Sequence, residues 1–144
     1  MFIEQLSIFL ENRPGKLKGV ADALKENQIN IISLGLSDTT DYGIARMIVS
    51  DSARAKQVLL QKGYTAVLTP VLVVELQQEV GALSRIMDTL SAKGLNLEYM
   101  YALVTGKEGG AMVVKTSDQA RTYQTLKDAG MKMFTEEELN DLKK

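Results

Sequence analysis

Leu6 to Asn30 read LSIFLENRPGKLKGVADALKENQIN, and Leu72 to Asn96 read LVVELQQEVGALSRIMDTLSAKGLN. Slid by 66 positions, Gly15 falls on Gly81, Leu17 on Leu83, Asp22 on Asp88, Leu24 on Leu90 and Asn30 on Asn96. Leu6, Ile8 and Leu10 fall on Leu72, Val74 and Leu76. Further along the offset becomes 67: Gly43 meets Gly110, Ser50-Asp51 meets Ser117-Asp118, Ala53-Arg54 meets Ala120-Arg121, and Gly63 meets Gly130. One inserted residue in the turn before Gly110 accounts for the change. The matched positions are turn glycines, helix caps and one helix's apolar face, as expected when two halves of a chain take the same fold.

One half reads strand, helix, strand, strand, helix, strand. Residues 2–10 alternate, with Phe2, Leu6, Ile8 and Leu10 on one face and Ile3, Gln5, Ser7 and Phe9 on the other. Pro14-Gly15 ends that strand, and proline is tolerated in a first helical turn. Leu17, Val20, Ala21 and Leu24 recur at helical spacing. A strand over 30–38, a turn at Asp41-Tyr42-Gly43 and a return strand from Ile44 to Val49 follow. Ser50-Asp51-Ser52 can cap a second helix running to Lys62, and Gly63 sits where a C-terminal glycine belongs. A last strand over 64–69 meets Pro70. The second half retraces this from Val71, with Leu83, Ile86, Met87 and Leu90 on its first helix and Tyr123 and Leu126 on its second. Thr135 and Glu138 stand at capping-box spacing; Leu139 and Leu142 can dock the tail as a short helix, the alternative being a frayed end.

The expected fold class is therefore α+β: two tandem ferredoxin-like βαββαβ units, residues 1–69 and 70–144, each with helices on one face of an antiparallel sheet. In the strand order 4-1-3-2 the second strand lies at an edge. Asn30 to Ser37 carries neither charge nor proline, and Asn96 to Val104 carries only Glu98, so neither edge is protected against pairing. Side-by-side pairing of the two edges into an eight-stranded sheet is expected. The sheet faces bearing Ile3, Phe9, Val71 and Val73 are read as exposed, which points to a further homodimer.

Composition narrows the function. The 144 residues include no Cys and no His. Thiolate nucleophiles, disulfides, histidine bases and imidazole or thiolate metal sites are all excluded. Seventeen basic against 18 acidic residues leave a net charge of −1, which argues against a nucleic-acid binder. Phe9 is the only aromatic in the interior of a central strand, too few for an RNA-stacking platform. No apolar run approaches the roughly 20 residues of a membrane helix. A cytoplasmic setting fits the lack of Cys. Gly106, Gly109 and Gly110 around Lys107-Glu108 lack phosphate-loop spacing and read as a hairpin. Tyr99 and Tyr101 share a strand face and are expected to pack, and Glu98 reads as a solvated edge charge.

The chemistry concentrates at Asn12-Arg13-Pro14-Gly15-Lys16-Leu17, which joins strand to helix. First-turn amides lack helical partners and favour an anion. Pro14 donates nothing, so the amides of Gly15, Lys16 and Leu17 are expected to bind, with Asn12 adding a side-chain hydrogen bond. Asn30, before Ile31, offers acceptors on an edge strand. Amides beside acceptors are complementary to a zwitterion, and the implied ligand is a free amino acid.

These residues, with Asn30-Ile31, resemble the ACT domain family of small regulatory amino-acid-binding modules. Gln78-Glu79-Val80-Gly81-Ala82-Leu83 with Asn96-Leu97 resembles a degenerate second copy. The resemblance implies pairing through the second strands, with ligand held at the seam by one unit's loop and its neighbour's strand. It assigns Asn12 and Asn30 as ligand-bonding asparagines. In the second copy Gln78 replaces the first, Asn96 keeps the second, and Val80 in place of proline frees an extra amide. The resemblance leaves no residues for a catalytic domain and implies no cofactor; it suggests a free-standing pair that senses an amino acid for an enzyme in trans, or carries it. A competing reading is an acylphosphatase-like small hydrolase using Arg13 and Asn30, although the matching residue in the second unit is Glu79, not arginine.

Overall fold

Leu6, Ile8 and Leu10 alternate along β1 (Ile3–Glu11) and enter an apolar core in the computed structural model, which describes residues 2–38, 41–103 and 110–142. α1 (Lys16–Glu26) brings Val20, Ala23 and Leu24 onto the same face. β2 (Ile31–Asp38) and β3 (Tyr42–Val49) follow, then α2 (Ser52–Gln61), which adds Ala55 and Leu59. β3 lies between β1 and β2, antiparallel to both, with Leu10 beside Gly43, and Gly43 beside Asp38. β4 (Thr65–Leu76) opens with Ala66 and Leu68 in this core. Each fully buried aliphatic side chain here stabilises by about 1.5–3 kcal/mol before chain entropy is subtracted.

The second unit repeats the plan. α3 (Ala82–Ala92), β5 (Leu97–Leu103), β6 (Gly110–Thr116) and α4 (Gln119–Asp128) follow the latter part of β4. β6 lies between β4 and β5, antiparallel to both. Met133 bridges Val74 on the other flank of β4. Its core gathers Leu72, Val74, Ile86, Leu90, Val114 and Leu126. The compact units are Glu4–Thr69 and Pro70–Leu142, with Phe2 and Ile3 grouped with the second; Phe2 rests 6.4 Å from Tyr123, ring centre to ring centre.

The repeat extends to the caps. Asp51 accepts from the Arg54 amide and Asp118 from the Arg121 amide, both at 3.1 Å. Gly63 (φ 88°) and Gly130 (φ 79°) follow the ends of α2 and α4 in the left-handed region that glycine tolerates best. α5 (Glu136–Leu142) starts at the expected capping box: the Glu138 amide donates to Thr135 Oγ1, and the Thr135 amide to Glu138 Oε1.

Several expectations are corrected. Pro70 does not end a strand: β4 runs through it, because only the missing N–H, not the proline's φ, conflicts with extended chain. The described residues therefore form six strands, since the first unit's last strand is continuous with the second unit's first, and the second unit's last is reduced to the Met133 bridge. Pro14 precedes α1 instead of lying in its first turn. Leu83 and Met87 are exposed although they continue the apolar stripe of α3. Ile3, Val71 and Val73 are buried and do not form an exposed face; only Phe9, at 46% exposure, is open. Ile48, Leu103 and Val113 are buried too, and strands apolar on both sides are strands buried on both sides. Gln5 shares this burial by donating from Nε2 to Ser7 Oγ at 3.0 Å. The hairpin expected at Gly106 to Gly109 lies outside the described residues. Among those residues no helix is long and apolar enough to cross a membrane.

Candidate functional site

β1 ends at Glu11 and α1 begins at Lys16, so Asn12 to Gly15 make the turn. The Asn12 amide donates to the Asp41 carbonyl at 3.1 Å, and the Arg13 amide to the Glu11 carbonyl at 2.8 Å. Gly15 takes φ 85°, and a Cβ there would meet nothing within 4 Å. The backbone conformation, not crowding, demands glycine, and the space above it is open to a ligand. The Lys16 amide donates back to the Arg13 carbonyl at 3.3 Å, contrary to its expected role as a ligand donor. The amides of Gly15 and Leu17 have no backbone acceptor among the described residues. The second turn copies this: the Glu79 amide donates to Gln77, the Ala82 amide to Glu79 at 3.3 Å, and Gly81 takes φ 88°.

Beneath the first turn lies a cavity of about 110 Å³, walled by Asn12, Arg13, Leu17, Leu36 and Gly43. The Arg13 guanidinium pairs with Glu11 at 2.8 Å. In the second turn the matching residue is acidic, and Glu79 pairs with Arg85. The two turns therefore present opposite charge at one position, with further cations at Lys16 and Lys18 beside the first.

Asn30 and Ile31 are not brought to this turn. β2 runs antiparallel to β3, so Ile31 lies beside Val49 while the far end of β2 lies beside Gly43, next to Leu10. From Ile31 to Leu36 is about 17 Å at roughly 3.3 Å per residue. The Asn30 backbone is tied to Ser50 in both directions at 2.9 Å, and its exposed side chain is left over. Asn96 and Leu97 likewise stand at the Thr116 end of β5, away from Gln78 to Leu83. Arg13 and Asn30 lie at opposite ends of their unit, so the hydrolase arrangement is not assembled within it. Glu98 pairs with Lys115 at 3.0 Å. Among the described residues no group of three or more acidic side chains could hold a metal ion.

A larger cavity, about 380 Å³, adjoins the one beneath the first turn, sharing Leu10, Glu11 and Lys16, and is walled further by Lys62 and Tyr64. Sequence reading did not single out Lys62 or Tyr64. The available signal was disagreement between the repeats, since Lys62 meets Ala129 and Tyr64 meets Met131.

A family model described as an ACT domain pair matches residues 1–143. The chain belongs to the ACT domain pair family. A solved structure of protein BT0572 from Bacteroides thetaiotaomicron is 31% identical with a TM-score of 0.90, covering 97% of this chain and 96% of that one. The regulatory subunit of aspartate kinase from Thermus thermophilus, in its ligand-free form, gives 16% identity and a TM-score of 0.63 over 88% of this chain and 91% of that one. Its counterpart from Thermus flavus gives 19% and 0.62 over the same shares, 88% and 91%. These two show the shared fold. No curated protein matches the chain.

Proposed function

We propose that this ACT domain pair is a non-catalytic regulatory module that binds a free amino acid and passes its occupancy to an enzyme in trans. The observation that carries this reading is the split of the ligand-binding groups. Open amides and the Asn12 side chain stand at one end of a unit, and Asn30 stands at the start of the edge strand at the other end. Neither Asn12, Asn30, Gln78 nor Asn96 spends its side chain on a hydrogen bond among the described residues. A site built from both ends needs the loop of one unit and the second strand of a neighbour. That requires an edge strand, β2 or β5, to be paired with the edge of a neighbouring copy; the six strands of the described residues do not make the expected eight-stranded sheet.

In this reading the Gly15 and Leu17 amides hold the α-carboxylate at the positive end of α1. The Asn12 side chain bonds the same end of the ligand, and a strand-start asparagine with nearby carbonyls accepts from the ammonium. The regulatory role of the Thermus aspartate kinase subunits supports the sensor over the carrier. Isothermal titration of the full chain against the twenty amino acids tests it. One amino acid, or a related few, gives saturable heat, and Asn12→Ala weakens it by about tenfold, the loss of one hydrogen bond to a charged group. Folded protein that gives heat with none of the twenty overturns the proposal.

A further inference from the structure

We infer that the first unit holds a second ligand cleft, adjoining the amino-acid turn, that takes a small organic carboxylate with an apolar body. The cleft is the 380 Å³ cavity between the end of β1, the first turn of α1 and the α2–β4 turn. Its volume falls within the range of small-molecule sites, about 300–1,000 Å³. The cavity at the amino-acid turn shares Leu10, Glu11 and Lys16 with it and is otherwise walled by Asn12, Arg13, Leu17, Leu36 and Gly43.

The walls define the ligand. Lys16 and Lys62 supply two ammonium groups, and Phe9, Tyr42 and Tyr64 supply aromatic surface. The one carboxylate in the wall, Glu11, is already held by Arg13 at 2.8 Å. Lys62 reaches Glu26 at 3.3 Å, in an exposed pair that solvent weakens. Lys16 forms no ion pair among the described residues. The balance is cationic, and an anion fits it.

The repeat supplies an internal control. The same place in the second unit is a cavity of about 170 Å³ in which Ala82, Ala129 and Met131 occupy the positions of Lys16, Lys62 and Tyr64. The smaller copy lacks both lysines and the phenol at these positions; the cations it does carry, Arg85 and Lys132, are paired with Glu79 and Glu138. Tyr64 also depends on a local accommodation: a Cβ on Gly19 would lie 2.4 Å from its hydroxyl oxygen. The matching position in the second unit, where the partner is Met131, carries Arg85. The first unit therefore combines a glycine that admits the tyrosine with two lysines that flank it, and the second unit has none of the four.

The test uses the full ¹⁵N-labelled chain titrated with 3-phenylpropionate, a carboxylate without the ammonium group that the amino-acid site requires. Saturable movement of the Gly63, Tyr64 and Thr65 amide signals is expected. The double variant Lys16→Ala/Lys62→Ala, checked for an otherwise unchanged spectrum, weakens it by about tenfold or more. In Asn12→Ala the phenylpropionate shifts persist. Absence of saturation, or equal binding by the double variant, overturns the inference. So does movement confined to Asn12, Leu36 and Gly43. None of these outcomes bears on the amino-acid titration, whose failure leaves this cleft standing.

Discussion

Gly19 is the position at which a single methyl group has two opposed effects. Alanine is favoured over glycine inside a helix by about 1 kcal/mol. Here the added Cβ would lie 2.4 Å from the Tyr64 hydroxyl oxygen but 3.7 Å from the ring carbon that bears it. Gly19→Ala is therefore expected to destabilise by about 1 kcal/mol or more, as overpacking does. Introduced into Tyr64→Phe, the same change stabilises, because the clashing oxygen is gone. Urea melts of the four chains read the reversal of sign, and additive effects would refute the contact. Gly15 differs, since its Cβ would meet nothing within 4 Å. The cost of Gly15→Ala is that of holding φ at 85° alone, about 1 kcal/mol, with no packing component. The sequence shows that both glycines are there, but only coordinates separate a backbone demand from a steric one.

At the level of elements, regular periodicity made the four longer helices legible, and paired caps at Asp51 and Asp118 fixed where two of them start. α5 was legible through one local motif. Leu139, fully buried, docks it, and Lys132 pairs with Glu138 at 3.1 Å. The Lys132 ammonium, with the Thr135 amide, holds the Glu138 carboxyl below its ordinary range. A depressed carboxylate stabilises the fold above its unfolded value, about 4.3, and that contribution is lost as pH falls through the folded one. Acidification below about pH 4 should therefore loosen α5, seen as a lower amide protection factor at Leu139 in the native chain, relative to the intrinsic exchange rate at each pH. Glu138→Gln should show that looseness already at neutral pH, with little further change on acidification. Thr135→Ala, which removes the cap, should cost about 1 kcal/mol in a urea melt. β4 was less legible. Turn signals mark Pro70 as a break, and extended chain passes through it because proline's fixed φ is compatible with a strand. The burial of Ile3, Val71 and Val73 was also hidden, because alternation identifies the two faces of a strand but not what covers each.

At the scale of the whole chain, the repeat made the duplicated plan readable, and departures from it carry the functional differences. The two turns share their backbone bonds and their left-handed glycines, so the geometry of an anion cradle is present twice. Their side chains differ at three consecutive positions: Asn12, Arg13 and Pro14 against Gln78, Glu79 and Val80. A carboxylate at the second turn would meet the like charge of Glu79, and Gln78 loses more rotamer freedom on binding than Asn12 does. The proposed amino-acid site should therefore fill at one position per chain, governed by the first turn. The triple change Gln78→Asn, Glu79→Arg and Val80→Pro transplants the first turn's chemistry onto the second, where Gly81 already holds φ 88°. If side chains alone disable the second turn, titration of that variant will show two ligands per chain where the parent shows one. A stoichiometry that stays at one would place the asymmetry elsewhere, in the strand-start asparagines, and exchanging the neighbourhoods of Asn30 and Asn96 would then be the change that moves it.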